Sequence, residues 1–101
     1  MEMTAEREGA ILEAAIERWG DDRQVDKAIE EMAELTKALL KERQAMHDAG
    51  DTSKQDHVVE EIADVQIMLN QMQLIFGDCT DWEVRKLERL AARLEKEDGE
   101  A

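Results

Sequence analysis

No proline interrupts this chain of 101 residues. A proline inside a helix removes a backbone donor and costs roughly 3 kcal/mol, so its absence leaves every stretch free to be helical. The rest of the composition leans the same way. There is one Phe and no Tyr, and Ala, Leu, Glu, Lys, Arg, Gln and Met dominate, residues that lose little on entering a helix. The β-branched and aromatic runs that strands prefer are missing. The expected class is all-α, one domain over residues 1–101.

Apolar spacing resolves four helices. The first is expected over Ala5–Trp19, with Thr4 as N-cap, Gly20 at the C-terminus and a stripe of Ile11, Leu12, Ala15, Ile16 and Trp19. The second runs from about Asp22 to His47, with Val25, Ala28, Ile29, Met32, Leu35 and Leu39 facing the core. Turn formers at Asp48–Ser53 make a loop. The third helix is expected from Lys54 to Phe76, capped by Ser53. After Gly77–Thr80 a fourth begins on a Thr80 or Asp81 cap and reaches about Lys96, with Asp98–Ala101 frayed. Short connections make neighbouring helices antiparallel, so the expected architecture is a four-helix bundle.

Helix three is apolar on nearly all sides. Val58, Ile62, Val65, Leu69, Met72 and Phe76 form one stripe, and Val59, Ala63, Ile67 and Leu74 lie outside it. A helix of this kind needs burial all round, which a small monomer supplies poorly. A homo-oligomer, dimer or tetramer, built on helices two and three is expected. With 26 acids against 13 bases the net charge is −13, which repels phosphate backbones and anionic membranes alike; neither nucleic acid nor membrane is an expected partner. The single Cys79 forms no internal disulfide and reads as inert. No signal-peptide pattern follows Met1 and no apolar run is of spanning length, so a cytoplasmic location is expected.

Acidic pairs three apart are common by chance in such a chain; composition alone yields about six or seven. Two stand out. Glu30-Glu31-Met32-Ala33-Glu34 and Glu60-Glu61-Ile62-Ala63-Asp64 sit in the middle of helices two and three, so Glu31/Glu34 and Glu61/Asp64 each share a helix face. Glu61 lies roughly 60° from the centre of its apolar stripe and Asp64 about 120° away, border positions that reach into a crevice between helices. Neither has a Lys or Arg three or four residues on. Four carboxylates facing one gap need a neutraliser, and a hard cation with oxygen ligands, Mg²⁺ or in its place Mn²⁺, is the expected one. Gln24 and Lys27 precede Glu31 on its face; Lys54 and His57 precede Glu61; Gln71 follows Asp64. Lys and Gln at the ends of an acidic site suit a phosphate chain. His57 is not placed on an oxygen-seeking metal, and Trp19 and Trp82 read as packing residues, with stacking on a base as the alternative role.

These motifs resemble the MazG-like family of all-α nucleoside triphosphate pyrophosphohydrolases. The likeness rests on KAIEEMAELTKAL, on EEIADVQIMLNQM and on RKLERLAARL near the C-terminus, and covers roughly Trp19 to Leu94, closest to small single-domain phage-type members. It implies cleavage of nucleoside triphosphates to monophosphate and pyrophosphate. It also implies Glu31, Glu34, Glu61 and Asp64 as Mg²⁺ ligands, with Lys27, Lys54, Lys86 and Arg89 as phosphate contacts. One to three metal ions fit four carboxylates, and Glu34 or Glu61 could serve as base if not on the metal. Two other readings stay open: phosphoribosyl-ATP pyrophosphohydrolase, and a non-enzymatic helical module whose acids are a wet surface.

Overall fold

A computed structural model describes residues 2–100 and is helical almost throughout. α1 spans Ala5–Trp19, α2 Asp21–Ala49, α3 Gln55–Phe76 and α4 Thr80–Glu100, with no strand among the described residues. The Thr4 side chain accepts from the Arg7 backbone N–H at 3.1 Å, as an N-cap does. Gly20, at φ 89°, both ends α1 and precedes α2, so α2 begins one residue earlier than expected. No helix is long and apolar enough to cross a membrane.

The α2–α3 turn is set by Gly50. Its φ of 62° is left-handed; its N–H donates to the Met46 carbonyl at 2.9 Å, and the Asp51 N–H reaches back to Ala45 at 3.2 Å. The Gly50 bond is that of an αL C-cap. Ser53 does not cap α3: its N–H donates to Asp51 Oδ1 at 2.9 Å, and Lys54 takes the cap position without a side-chain bond. Nor does Thr80 or Asp81 cap α4. Asp78 Oδ1 accepts from the Thr80 backbone at 2.9 Å and from its hydroxyl at 2.6 Å, and those bonds hold its carboxyl below the usual value. α4 stays helical through Asp98–Glu100, where fraying was expected; Ala101 lies outside the described residues.

α2 and α3 pack as an antiparallel pair, and α1 leans on both. The shielded positions of α2 are Gln24, Ala28, Glu31, Leu35, Ala38, Glu42 and Ala45; those of α3 include Val58, Glu61, Val65, Met68, Met72 and Ile75. Steps of three and four alternate along both, the spacing of a two-helix seam. This corrects the expected core. Ala28 and Val65 are buried, but Ile29, Met32 and Leu39 on α2, and Ile62, Leu69 and Phe76 on α3, are exposed. A seam between two helices covers a narrow strip, and the apolar sector of each helix is wider than that strip.

Most of the exposed apolar residues of the hairpin stand one position after seam residues. That series is Val25, Ile29, Met32, Thr36, Leu39, Arg43 and Met46 on α2, and Val59, Ile62, Gln66, Leu69, Gln73 and Phe76 on α3, with Val25 and Gln73 half-buried; Leu40, Ile67 and Leu74 are exposed outside it. A step of about 100° turns the same way along both chains. Because the helices run in opposite directions, both sets fall on one side of the pair. None of these positions is acidic, where composition alone would put about three acids. Asp64, His57, Lys27, Glu34 and Gln71 stand one position before seam residues and so on the opposite side, together with the exposed Ile67 and Leu74. The hairpin has an apolar side free of acids and a mixed side that carries these charged groups.

The expected four-helix bundle is built by three helices in one chain. α4 packs against none of the others, and the radius of gyration is 17.8 Å, against about 13 Å for a compact domain of 100 residues. Gly50→Ala forces a Cβ into the left-handed region with nothing within 4 Å to clash, so the cost is that of the backbone alone. We expect a loss of about 1 kcal/mol, measured by urea denaturation; an unchanged midpoint would mean the turn relaxes.

Candidate metal centre

Glu31 comes from the middle of α2, and Glu61 and Asp64 from the middle of α3. One carboxylate oxygen from each lies within 4.8 Å of the other two. Two oxygens on opposite sides of one Mg²⁺ are about 4.2 Å apart, so small side-chain rotations would close the trio on an ion. Glu61 is the buried member, 8% exposed; Glu31 and Asp64 are half-buried. Its Oε2 is shielded from solvent and has no hydrogen-bond partner. An orphaned buried carboxylate oxygen is costly, and an all-oxygen donor set around it fits a hard cation. Burial pushes the Glu61 carboxyl above its ordinary value; Asp64, then Glu31 and Glu34, push it the same way, with His57 acting against them.

Cations border the trio. Lys27 Nζ lies 3.1 Å from Glu31 Oε1 and 3.8 Å from the exposed Glu30. The bond to Glu31, and then the charge of Glu30, raise its pKa. His57 Nε2 lies 3.6 Å from Glu61 Oε1 and its Nδ1 4.0 Å from Glu60. His57, set aside as a ligand from sequence, thus stands beside the buried carboxylate at one-turn spacing.

Of the expected site residues, Glu31, Glu61, Asp64 and Lys27 come together. Glu34 is exposed and outside the trio, though its charge bears on Glu61. A pair on one helix face need not converge, because only Glu31 of the two occupies the seam. Gln24 is buried and lines a groove of about 660 Å³ with Trp19, Arg23, Lys27 and Gln71. Gln71 Oε1 is buried there without a partner. Lys54 stands at the cap position before α3, away from the trio; its charge bears on Asp51, whose carboxyl is lowered first by its bonds from Ser53. Lys86 and Arg89 ride on α4 and are not brought to the carboxylates, since that helix touches neither α2 nor α3 within the chain. No ion pair joins Glu83 to Lys86 either; Arg93–Glu97, at 3.2 Å, is the pair α4 forms. Sequence reasoning missed Arg23, whose only signal was its place one turn before Lys27, and treated Trp19 as packing, whereas it is 50% exposed at the groove.

Compared with protein-family models, with curated proteins and with solved structures, the chain matches none.

Glu61 keeps its proton to higher pH in the folded chain than in the unfolded one. Its contribution to ion-free stability is therefore full below the ordinary glutamate range, about 4.3, and is lost as pH rises through the raised folded value. Glu61→Gln is expected to raise the ion-free melting temperature at neutral pH and to flatten this pH dependence. Circular-dichroism melts in EDTA between pH 4 and 8 test it; a variant that melts lower throughout would show the carboxylate is well solvated.

Proposed function

We propose that the chain is a Mg²⁺-dependent nucleoside triphosphate pyrophosphohydrolase of the MazG-like all-α kind. It would hydrolyse a ribo- or deoxyribonucleoside triphosphate by water attack at the α-phosphorus, releasing monophosphate and pyrophosphate, in the cytoplasm and as a homo-oligomer. The observation that carries this reading is the buried, unpaired Oε2 of Glu61 beside Glu31 and Asp64.

On this reading Glu31, Glu61 and Asp64 hold the cation, Mg²⁺ or Mn²⁺, through oxygen. A divalent cation bound there would neutralise phosphate charge and polarise the α-phosphate. Glu34 stays free, exposed and close enough to act on Glu61, and takes the proton from the attacking water. Lys27, now paired with Glu31, turns to the phosphate chain when the cation claims that carboxylate. The groove beside it receives the nucleoside: Trp19 offers a stacking face, Arg23 a further cation, and Gln24 and Gln71 offer amides to base edges. Lys54, Lys86 and Arg89 have no place in this scheme within one chain, so phosphate contact falls to Lys27 and Arg23.

The test is pyrophosphate release from a panel of NTPs, dNTPs and phosphoribosyl-ATP with Mg²⁺. Glu31→Ala and Asp64→Ala are expected to lower kcat by about 10²-fold or more while helicity is kept. Unmutated rates in either variant would refute the ligand assignment, and turnover of phosphoribosyl-ATP alone would reassign the substrate.

Lys27 separates the roles of cation and substrate. Lys27→Met removes the competitor from Glu31 and is expected to tighten Mg²⁺ binding roughly two- to five-fold, the worth of a half-exposed ion pair, while raising KM for the triphosphate. Calorimetry with Mg²⁺ alone and steady-state kinetics read the two effects. Weaker Mg²⁺ binding in the variant would mean that Lys27 supports the acidic cluster rather than guarding it.

A further inference from the structure

Two apolar surfaces on this chain lack a partner. One is the acid-free side of the α2–α3 hairpin. The other is the stripe Val84, Leu87, Leu90 and Leu94 on α4, whose members are 48–56% exposed. In proteins most helical stability comes from packing of an amphipathic face, and among the described residues α4 finds no such support from its own α1, α2 or α3. We propose that α4 of one copy lies along the apolar side of the α2–α3 hairpin of a second copy, and reciprocally, so that the chain is a dimer by exchange of its C-terminal helix.

Length and charge favour this occupant. Val84 to Leu94 spans about 15 Å at 1.5 Å per residue, as does Ile29 to Leu39 along the hairpin. The segment Asp21–Phe76 carries thirteen acids and six bases, net −7, whereas Arg85–Arg93 carries four bases and one acid, net +3. Pairing hairpin with hairpin sets −7 against −7. Pairing hairpin with α4 sets −7 against +3, and complementary charge selects partner and register. The apolar side is opposite Asp64, Lys27 and Gln71, so a docked α4 leaves the groove open. The proposal stands independently of the catalytic reading, because neither surface includes a carboxylate of the trio.

The test needs no metal and no nucleotide. A photo-crosslinking benzoylphenylalanine at Leu90 of the full chain, in an equal mixture of ¹⁵N-labelled and unlabelled protein, is expected to yield a mixed-isotope adduct to a peptide of α2 or α3. Sedimentation of the full chain is expected to give a dimer, and Leu87→Glu and Ile62→Glu are each expected to halve the mass. Mixing these two variants should restore a dimer, since one α4–hairpin contact survives in the pair. Crosslinks from α4 to α4, or a dimer that persists in either variant alone, would overturn the exchange. A monomeric parent chain would overturn it outright.

Discussion

The structure turns on one carboxylate, Glu61, held in the seam between two helices with an oxygen that nothing satisfies. A position of this kind normally takes Leu, Val or Ala, as its neighbours along the same seam do. Replacing them with an acid weakens the interface unless something compensates. Glu31 and Asp64 make the position worse, since each adds negative charge. Lys27 and His57 relieve the cluster only from its edge, with Lys27 meeting Glu31 and not Glu61. The hairpin is thus built around an electrostatic conflict that a multivalent cation resolves and a monovalent side chain at the rim does not.

The remaining polarity is arranged around that conflict. Residues one position before the seam carry Lys27, Glu34, His57, Asp64 and Gln71; those one position after it carry Ile29, Met32, Leu39, Ile62 and Leu69. A single helical step separates the charged cluster from the acid-free side. α1 closes one end of the charged side, where the Asn70 amide donates to Glu8 Oε1 at 3.1 Å, and the groove forms between Trp19 and Gln71.

Much of this was legible in the residues. Thr4 and Gly20 define α1 to the residue because each makes a local bond that sequence reveals. Glu31, Glu61 and Asp64 could be picked out because they sit at the border of an apolar stripe, Glu61 and Asp64 with no Lys or Arg three or four residues on. Which edge of the stripe turns inward was not legible: Ile29 and Ala28 are equally apolar, and only packing chooses between them. Small side chains let the backbones approach, so Ala28 and Ala38 took the seam. Glu34 shares a helix face with Glu31, yet facing the same way is weaker than occupying the same seam. Lys54, Lys86 and Arg89 are not brought to the trio within one chain, since spacing along one helix says nothing about what that helix touches.

Ala28 and Ala38, at 2% and 3% exposure, are the most shielded apolar residues of α2, and Glu31 lies between them. Their single methyl groups set how near the two backbones come, and thereby the span across which carboxylates on facing helices must reach. A narrow gap accommodates an ion of small radius and strains around a wide one. On the proposed reading of the trio as a cation site, the choice between magnesium and calcium would reside in two residues that bear no charge. Drift at those alanines would then change the ion preferred while every acidic residue stayed in place.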